Sequence, residues 1–183
     1  DVLVLEAGPR FADPESEWTH FEDDANNPIT GLFRHGPGDR TRTQRALGNV
    51  WAAYEHAGTA EEPSWMGSYG IGHLRHEEAR CYVNLGMGRH AVRSAEESLA
   101  VRTEPRPRAF TLGVLSIAHA QTLDIEQACA RGHELLALAA QISSRRICLR
   151  VNQVLAALDP HQDQAAVADL REAARPVLAG CAQ

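Results

Sequence analysis

Apolar residues recur at spacings of three and four along most of the chain, as in helices that bury one face. In the first such stretch, from Thr41 to about residue 56, they form a stripe of Leu47, Val50, Trp51 and Tyr54. Start and stop signals predict further helices at about 73–85, 89–102, 108–121, 125–141, 144–158 and 163–178. The sequence therefore predicts an all-α fold from residue 41 onward.

Glycine and proline mark the breaks between these helices. Gly86 and Gly88 predict a turn, and Asp159-Pro160 predicts the end of a helix. Glu104-Pro105-Arg106-Pro107 predicts a stiff connector, since proline cannot continue a helix and disfavours helical geometry in the residue before it.

One helix–turn–helix pattern occurs twice between residues 79 and 138. Small residues lie one turn apart in the second helix of each copy, and Ala91 and Ala128 hold the same place, 37 residues apart. The copies predict a stack of about three helical hairpins whose contacts rely on small side chains.

The first 40 residues differ from the rest in charge and pattern. They hold nine acidic residues and three arginines, a net charge of −6, so residues 41–183 are neutral. Asp1 to Pro9 contains four consecutive apolar residues before an acid and a Gly-Pro stop, which predicts one strand. We therefore predict an irregular acidic arm at 1–40 and a helical repeat domain at 41–183.

Short sequence motifs occur at helix starts and turns within residues 47–178. They are Pro63-Ser64-Trp65, Cys81-Tyr82 with Leu85-Gly86, the helix start that contains Arg108, Asp124-Ile125-Glu126 with Ala128, and Ser143-Ser144-Arg145. In these motifs the segment resembles the tetratricopeptide-type C-terminal domain of actinobacterial helix-turn-helix transcriptional regulators, whose repeat is about 34 residues long. The resemblance implies a right-handed stack of hairpins and a regulatory or ligand-sensing role that involves a protein or peptide partner. The DNA-reading helices of those regulators are not among the predicted ones.

The N-terminal stretch Val2-Leu-Val-Leu-Glu6-Ala-Gly-Pro9 supports an alternative. It resembles the second strand of the FAD-binding domain of glucose–methanol–choline oxidoreductases, and residues 1–40 together resemble a fragment of that domain. In that family the acid, here Glu6, would hold the adenosine ribose, so the chain would be a truncated or chimeric fragment of such an enzyme. Residues 1–40 do not contain the glycine-rich turn that cradles the pyrophosphate in that family. Absorbance near 450 nm would distinguish a flavoprotein from a repeat scaffold.

Bulk composition narrows the function classes. Neither part of the chain has the basic excess that a binder of phosphate backbones needs, so no nucleic-acid contact is predicted. No apolar run approaches the ~20 residues that span a bilayer. Four cysteines without a CxxC pair predict free thiols and a cytoplasmic location. The oligomeric state stays open, and a homodimer is one possibility.

Three motifs invite a chemical interpretation. Gly86 to Ala91 matches a variant of the dinucleotide fingerprint, but that fingerprint needs a preceding strand and here follows a helix. His73 and His76 share a helix face without a third zinc ligand, and we interpret them as a solvated polar face. Arg102, Arg106 and Arg108 offer guanidinium groups to an acidic partner, or pair with nearby glutamates. No catalytic, metal or cofactor residue is assigned.

The first helix of each hairpin is expected to present the binding surface. Arginine outnumbers acid among its spare positions, which predicts a groove for an acidic or C-terminal-carboxylate peptide. The predicted partner-binding residues are Arg75, Arg80, Asn84, His119, Gln121, Arg145 and Arg150.

Overall fold

The computed structural model describes residues 36–55, 70–142 and 144–180. Every regular element in these ranges is helical, which confirms the all-α prediction for them. A short 3-10 helix at Asp159–His161 precedes the last α-helix. The α-helices in these ranges are α1 (Gly36–Glu55), α2 (Ile71–Asn84), α3 (Gly88–Val101), α4 (Pro105–Gln121), α5 (Ile125–Ala139), α6 (Arg145–Ala157) and α7 (Ala165–Gly180).

The chain divides into two compact units, Asp1–Glu62 and Pro63–Gln183. The first unit contains α1, which is continuous through residue 40, so the predicted boundary after residue 40 falls within this helix. The predicted helix start at Thr41 or Thr43 is wrong for the same reason. Pro37 is compatible with the helix because the amides of a first turn have no intrahelical partner. The predicted strand at Asp1–Pro9, with Glu6, lies outside the described residues.

The predicted apolar stripe of α1 is confirmed. Its four residues are half-buried, while most of their neighbours in the helix are exposed. The rings of Trp51 and Tyr54 meet edge to face, with centroids 6.0 Å apart and an interplanar angle of 85°. This geometry is one of the arrangements that aromatic pairs prefer.

The predicted stiff connector before α4 is in part the helix itself. Pro105 and Pro107 lie in the first turn of α4, after Glu104 as the N-cap residue. A helix does not need the amide hydrogens of its first turn, and the fixed φ of proline suits that position. The two prolines therefore mark the start of α4, which begins at Pro105, three residues before the predicted start at about residue 108.

The turns after α2 and after α4 have the same backbone geometry. Gly86 has a φ of 67° and Leu123 a φ of 63°, and both lie two residues beyond the helix end. The next helices begin at Gly88 and Ile125. Each of these pairs is 37 residues apart, so the sequence period is also a period of the backbone. Gly86–Ala91 accordingly joins two helices, as predicted.

Six helices of the second unit pack in a consistent order. Helix α2 contacts α3 and α4, and α4 also contacts α5 and α6. Helix α5 contacts both α6 and α7, and α6 contacts α7. Helices α2, α4 and α6 thus follow one another as neighbours, and we call their layer the first-helix layer. Helices α3, α5 and α7 follow them in the chain, and we call these three the second-helix layer. In it α5 contacts α7, and α3 contacts α4 of the first-helix layer.

The core of this unit combines large leucines with small contact residues. Leu112, Leu115 and Leu135 are each 1% exposed, and the alanines of the sequence repeat, Ala91 and Ala128, are fully buried. At Gly132 in α5, a Cβ atom would lie 2.7 Å from Leu170 Cδ2 of α7. The small residues therefore let neighbouring helices approach closely, as the sequence predicted.

We expect Ala91→Leu and Ala128→Leu each to lower the free energy of unfolding by about 1–3 kcal/mol, because extra methyl groups in a close helix contact force strain. Ala130→Leu is the matched control, since Ala130 lies on the same helix as Ala128 and is exposed. Urea unfolding followed by circular dichroism measures all three. Neutral effects at both buried alanines would show that these positions are not close contacts.

The cysteines differ from the prediction of free thiols. Cys81 and Cys129 are free, whereas Cys148 is disulfide-bonded. Burial raises the pKa of the Cys81 thiol to about 11, so the thiol stays protonated near neutral pH and is a poor nucleophile. The argument from free thiols to a reducing compartment therefore rests on two of the four cysteines.

Candidate functional site

Three positions 37 residues apart lie in a row across the first-helix layer. His76 is on α2, Gly113 on α4 and Arg150 on α6. A Cβ atom at Gly113 would lie 2.3 Å from Arg150 Cγ and 2.6 Å from Arg150 Cδ. The aliphatic stem of Arg150 thus crosses α4 where only glycine leaves space. We call this space the Gly113 slot.

The Arg150 guanidinium lies in an unfavourable electrostatic environment for an arginine. Burial and, after it, the positive charge of Arg80 lower its pKa to about 10, against the opposing effect of the Glu77 carboxylate. Among the described residues, none forms a hydrogen bond or an ion pair with Arg150. Its charge therefore faces α2 without a direct partner.

On α2, Arg80 and Glu77 form an ion pair. Arg80 Nη1 lies 2.7 Å from Glu77 Oε2, and the side chains are 21% and 34% exposed. Glu77 is also the only carboxylate that raises the pKa of Arg150 or of Arg102 among the described groups. One acid thus lies among three arginines.

His76 is buried between these charges, which corrects its interpretation as part of a solvated face. Its side chain is 8% exposed, and its Nδ1 lies 3.1 Å from Thr111 Oγ1 on α4. Burial holds the pKa of His76 well below its usual value, and Arg102, Arg80 and Arg150 add to the effect. The imidazole is therefore neutral near pH 7. His73 remains half-buried.

Arg102 connects the start of α2 with the start of α4. Its Nε donates to the Gly72 carbonyl at 3.0 Å, and its Nη1 donates to the Pro107 carbonyl at 3.1 Å and to Thr111 Oγ1 at 3.2 Å. Arg108 Nη1 donates to the carbonyls of Leu99 and Arg102. Backbone carbonyls, with the Thr111 hydroxyl in the case of Arg102, therefore hold both arginines, instead of the glutamates that the sequence suggested. Arg106 is exposed.

These side chains define what we call the crossing cluster: His76, Glu77, Arg80, Arg102, Thr111 and Arg150. With a neutral imidazole, three guanidinium groups and one carboxylate give it a formal charge of +2. A cleft of about 340 Å³ adjoins Arg102, and its wall includes the exposed apolar side chains of Ile71 and Val101. The cluster is cationic and open to solvent near that end.

A separate polar network joins α2 to α3. Arg75 Nη1 lies 2.8 Å from Glu78 Oε2, and Arg75 Nε lies 2.7 Å from Glu97 Oε2 on α3. The buried Glu78 also accepts a hydrogen bond of 2.9 Å from Ser94 Oγ. Arg75 therefore points toward the second-helix layer, away from the crossing cluster.

The remaining predicted partner-binding residues are spread over other places. His119 is buried in the last turn of α4, with Nδ1 3.7 Å from Asp124 Oδ2. Gln121 Nε2 donates to the Val83 carbonyl at 2.7 Å, next to the exposed Asn84. Arg145 is the exposed first residue of α6. Of the seven residues, only Arg80 and Arg150 belong to the crossing cluster.

Comparisons with protein-family models, with curated proteins and with solved structures find no match for this chain. The two family resemblances therefore stay predictions. In the part of the chain that the structure describes, no helix is both long and apolar enough to cross a membrane. Within the same ranges, no three His, Cys, Asp or Glu side chains are grouped so that they could hold a metal ion.

The neutral, buried His76 predicts a stability that falls with pH. Its folded-state pKa lies well below the 6.5 of an exposed histidine, so the unfolded chain takes up the proton first as the pH drops. Stability is therefore fully present above about pH 6.5 and is lost below it, with a slope of up to about 1.4 kcal/mol per pH unit for one proton. Urea unfolding between pH 7.5 and 5 measures this slope.

Two asparagine variants test the assignment to His76. His76→Asn keeps a polar group near Thr111 without a titrating ring, so we expect a shallower slope. Some slope remains, because burial also lowers the pKa of His73 and of His119. The matched control is His133→Asn, at an exposed position, and should keep the full slope. An unchanged slope in His76→Asn would refute the assignment.

Proposed function

We propose that residues 70–180 form a tetratricopeptide-like, non-enzymatic module that binds a protein or peptide. The layered order of the helices supports this, since repeat proteins stack hairpins so that the first helices line one shared surface. The turn geometry repeated after 37 residues also supports it. In this proposal the pairs α2–α3, α4–α5 and α6–α7 are the three repeats of a right-handed stack.

The crossing cluster is the observation that carries the choice of ligand. It places a formal charge of +2 beside α2, α4 and α6, with Arg102 contributed from the end of α3, although residues 41–183 are neutral as a whole. An acidic segment or a C-terminal carboxylate is the peptide chemistry that complements such a surface. The proposed role is the regulatory or ligand-sensing part of a bacterial transcriptional regulator, and that part of the proposal rests on the sequence resemblance.

Fluorescence anisotropy with defined peptides tests this function. The probes are an acidic peptide with a free C-terminus, the same peptide with a C-terminal amide, and a version with Asn and Gln in place of its acids. We expect the acidic peptide with a free C-terminus to bind best. Its affinity should fall as salt rises from 0.05 to about 0.5 M, since exposed charges are screened within ~10 Å at 0.1 M salt. Equal binding of all three peptides would contradict the charge argument.

Paired arginine variants locate the surface. Arg80→Ala with Arg145→Ala should weaken binding several-fold without unfolding the domain, and Arg80→Ala with Arg150→Ala should weaken it more, because both residues lie in the crossing cluster. Arg175→Ala combined with Arg89→Ala removes the same charge from exposed positions of the second-helix layer. If all three double variants bind the acidic peptide like the parent, the working surface lies elsewhere.

A further inference from the structure

We propose that Arg80 and Arg150 together bind one oxyanion, a carboxylate or a phosphate group, at the place where Arg150 crosses α4. This inference rests on the proposed function in one respect, since it takes the first-helix layer as the ligand-binding surface and names the anchor within it.

The first argument is the unmet hydrogen-bonding capacity of Arg150. A guanidinium carries five N–H donors in a rigid plane, and none of them is used by the described residues. A half-buried charged group without partners is costly. An oxyanion offers paired acceptors that match the guanidinium fork. Binding one would therefore remove an unfavourable feature of the folded chain.

The second argument is that the Gly113 slot restricts the Arg150 side chain. Its Cγ and Cδ lie over α4 at distances that leave no space for a Cβ on residue 113. Leu135 Cδ2 lies 3.5 Å from the same Cβ position and closes the slot from the side of α5. The guanidinium is thus held toward α2 before any ligand arrives, and little side-chain entropy is lost on binding.

The third argument is the charge of the surroundings. Arg80 already contributes one hydrogen bond to Glu77, which partly neutralises it. Arg102 adds a charge close enough to lower the pKa of His76, and its hydrogen bonds go to neutral carbonyl and hydroxyl oxygens. His76 stays neutral, so it neither repels a cation nor attracts an anion by charge. The remaining formal charge of +2 favours a ligand with one or two negative charges.

The size of the site argues for a single group. Arg150 of α6 lies over Gly113 of α4, and Arg80 of α2 is close enough for its charge to lower the pKa of Arg150. With Arg102, the crossing cluster holds three arginines. A nucleic-acid backbone needs several phosphate contacts in sequence to bind firmly. A phosphate monoester, or the carboxylate at one end of a peptide, needs only this one place.

An NMR titration of the arginine Nε–Hε signals in Tris-chloride buffer tests the inference. The probes are inorganic phosphate, an N-acetylated dipeptide with a free carboxylate, and the same dipeptide as its amide. We expect the Arg150 and Arg80 signals to shift saturably with at least one of the first two probes and not with the amide. A shift with phosphate alone would identify the bound group as the phosphate of a phosphorylated ligand. A shift with the dipeptide alone would identify it as a peptide carboxylate.

Variants separate the site from general charge attraction. Arg150→Met keeps most of the apolar stem in the slot and should weaken the binding of the oxyanion at least tenfold. Arg175→Met removes the same charge from α7, where the side chain is 75% exposed, and should leave binding unchanged. Thermal unfolding of Arg150→Met with and without the probe gives a second readout, and we expect the stabilisation by the probe to disappear.

Failure of this inference differs from failure of the proposed function. If neither small oxyanion shifts the two arginine signals, or if Arg150→Met binds them as the parent does, the oxyanion site is refuted even when acidic peptides bind. If a small oxyanion binds through Arg150 and no peptide binds, the site stands and the peptide-binding function is refuted.

Discussion

Replacing Leu135 by alanine is expected to lower the free energy of unfolding by about 2–5 kcal/mol. Leu135 is 1% exposed and belongs to the main apolar core, which extends over α4 to α7. Its side chain also lies beside the Gly113 slot. The substitution removes buried methyl groups and leaves a cavity that the surrounding helices fill only in part. Urea unfolding followed at 222 nm measures the loss.

Leu123→Ala is the matched control for this prediction. Leu123 is 73% exposed and makes the turn before α5. Truncating an exposed leucine removes little buried surface, so we expect a change within about 0.5 kcal/mol. If both variants lose the same free energy, Leu135 is not the core residue that its burial indicates.

Gly113→Ala is the second large effect, with an expected loss of about 1–3 kcal/mol. Glycine to alanine in the middle of a helix normally stabilises by up to about 1 kcal/mol. Here the new methyl group would lie 2.3 Å from Arg150 Cγ, so the arginine has to leave the slot or α4 has to shift. A loss of stability in Gly113→Ala would therefore show that Arg150 crosses α4 at this residue, and a gain would show that it does not.

A double-mutant cycle with Arg150→Ala separates the clash from other effects of the alanine. Once the arginine stem is removed, the methyl group at residue 113 has space, and the ordinary helix propensity of alanine should return. We expect Gly113→Ala to be neutral or stabilising in the Arg150→Ala background, with a coupling energy of at least about 1 kcal/mol. Additive effects would mean that the two residues do not meet.

Most of the fold of the second unit could be predicted because its signals are local. The 37-residue spacing of Ala91 and Ala128 found two hairpins, and glycine at Gly86 correctly marked a turn. The helix boundaries agree to within two or three residues. The main error in this unit concerns Pro105, because proline interrupts a helix yet also favours its first turn, and only the structure distinguishes the two.

The site is harder to predict, because the neighbour that a helical side chain faces depends on its angle around the helix axis. Arg75 and Arg80 are five residues apart, which turns them by about 140° around the helix axis, so they cannot share one face. Their separation into different networks follows from this. The sequence predicts His119 on the binding surface, but it is buried in the last turn of α4. Choosing such faces needs the contacts of the neighbouring helices.

One signal in the sequence could have found the crossing cluster. Applying the 37-residue period to His76 leads to Gly113 and then to Arg150, a histidine, a glycine and an arginine at equivalent positions of successive hairpins. A missing side chain between two polar ones indicates that they can approach each other across the middle helix. An alignment of the small contact residues alone does not reveal this row.

The passage of Arg150 over Gly113 changes how the stack should respond when one end opens. In a one-dimensional array each hairpin interacts only with the next, and stability is a sum of nearest-neighbour terms. Here the charge of α6 reaches His76 on α2 and lowers its pKa. Fraying of the last hairpin would thus be sensed two hairpins away, as a rise in the proton affinity of a buried imidazole. In the proposed stack of three hairpins we therefore expect a small coupling between the first and the third, in addition to the interactions of adjacent pairs.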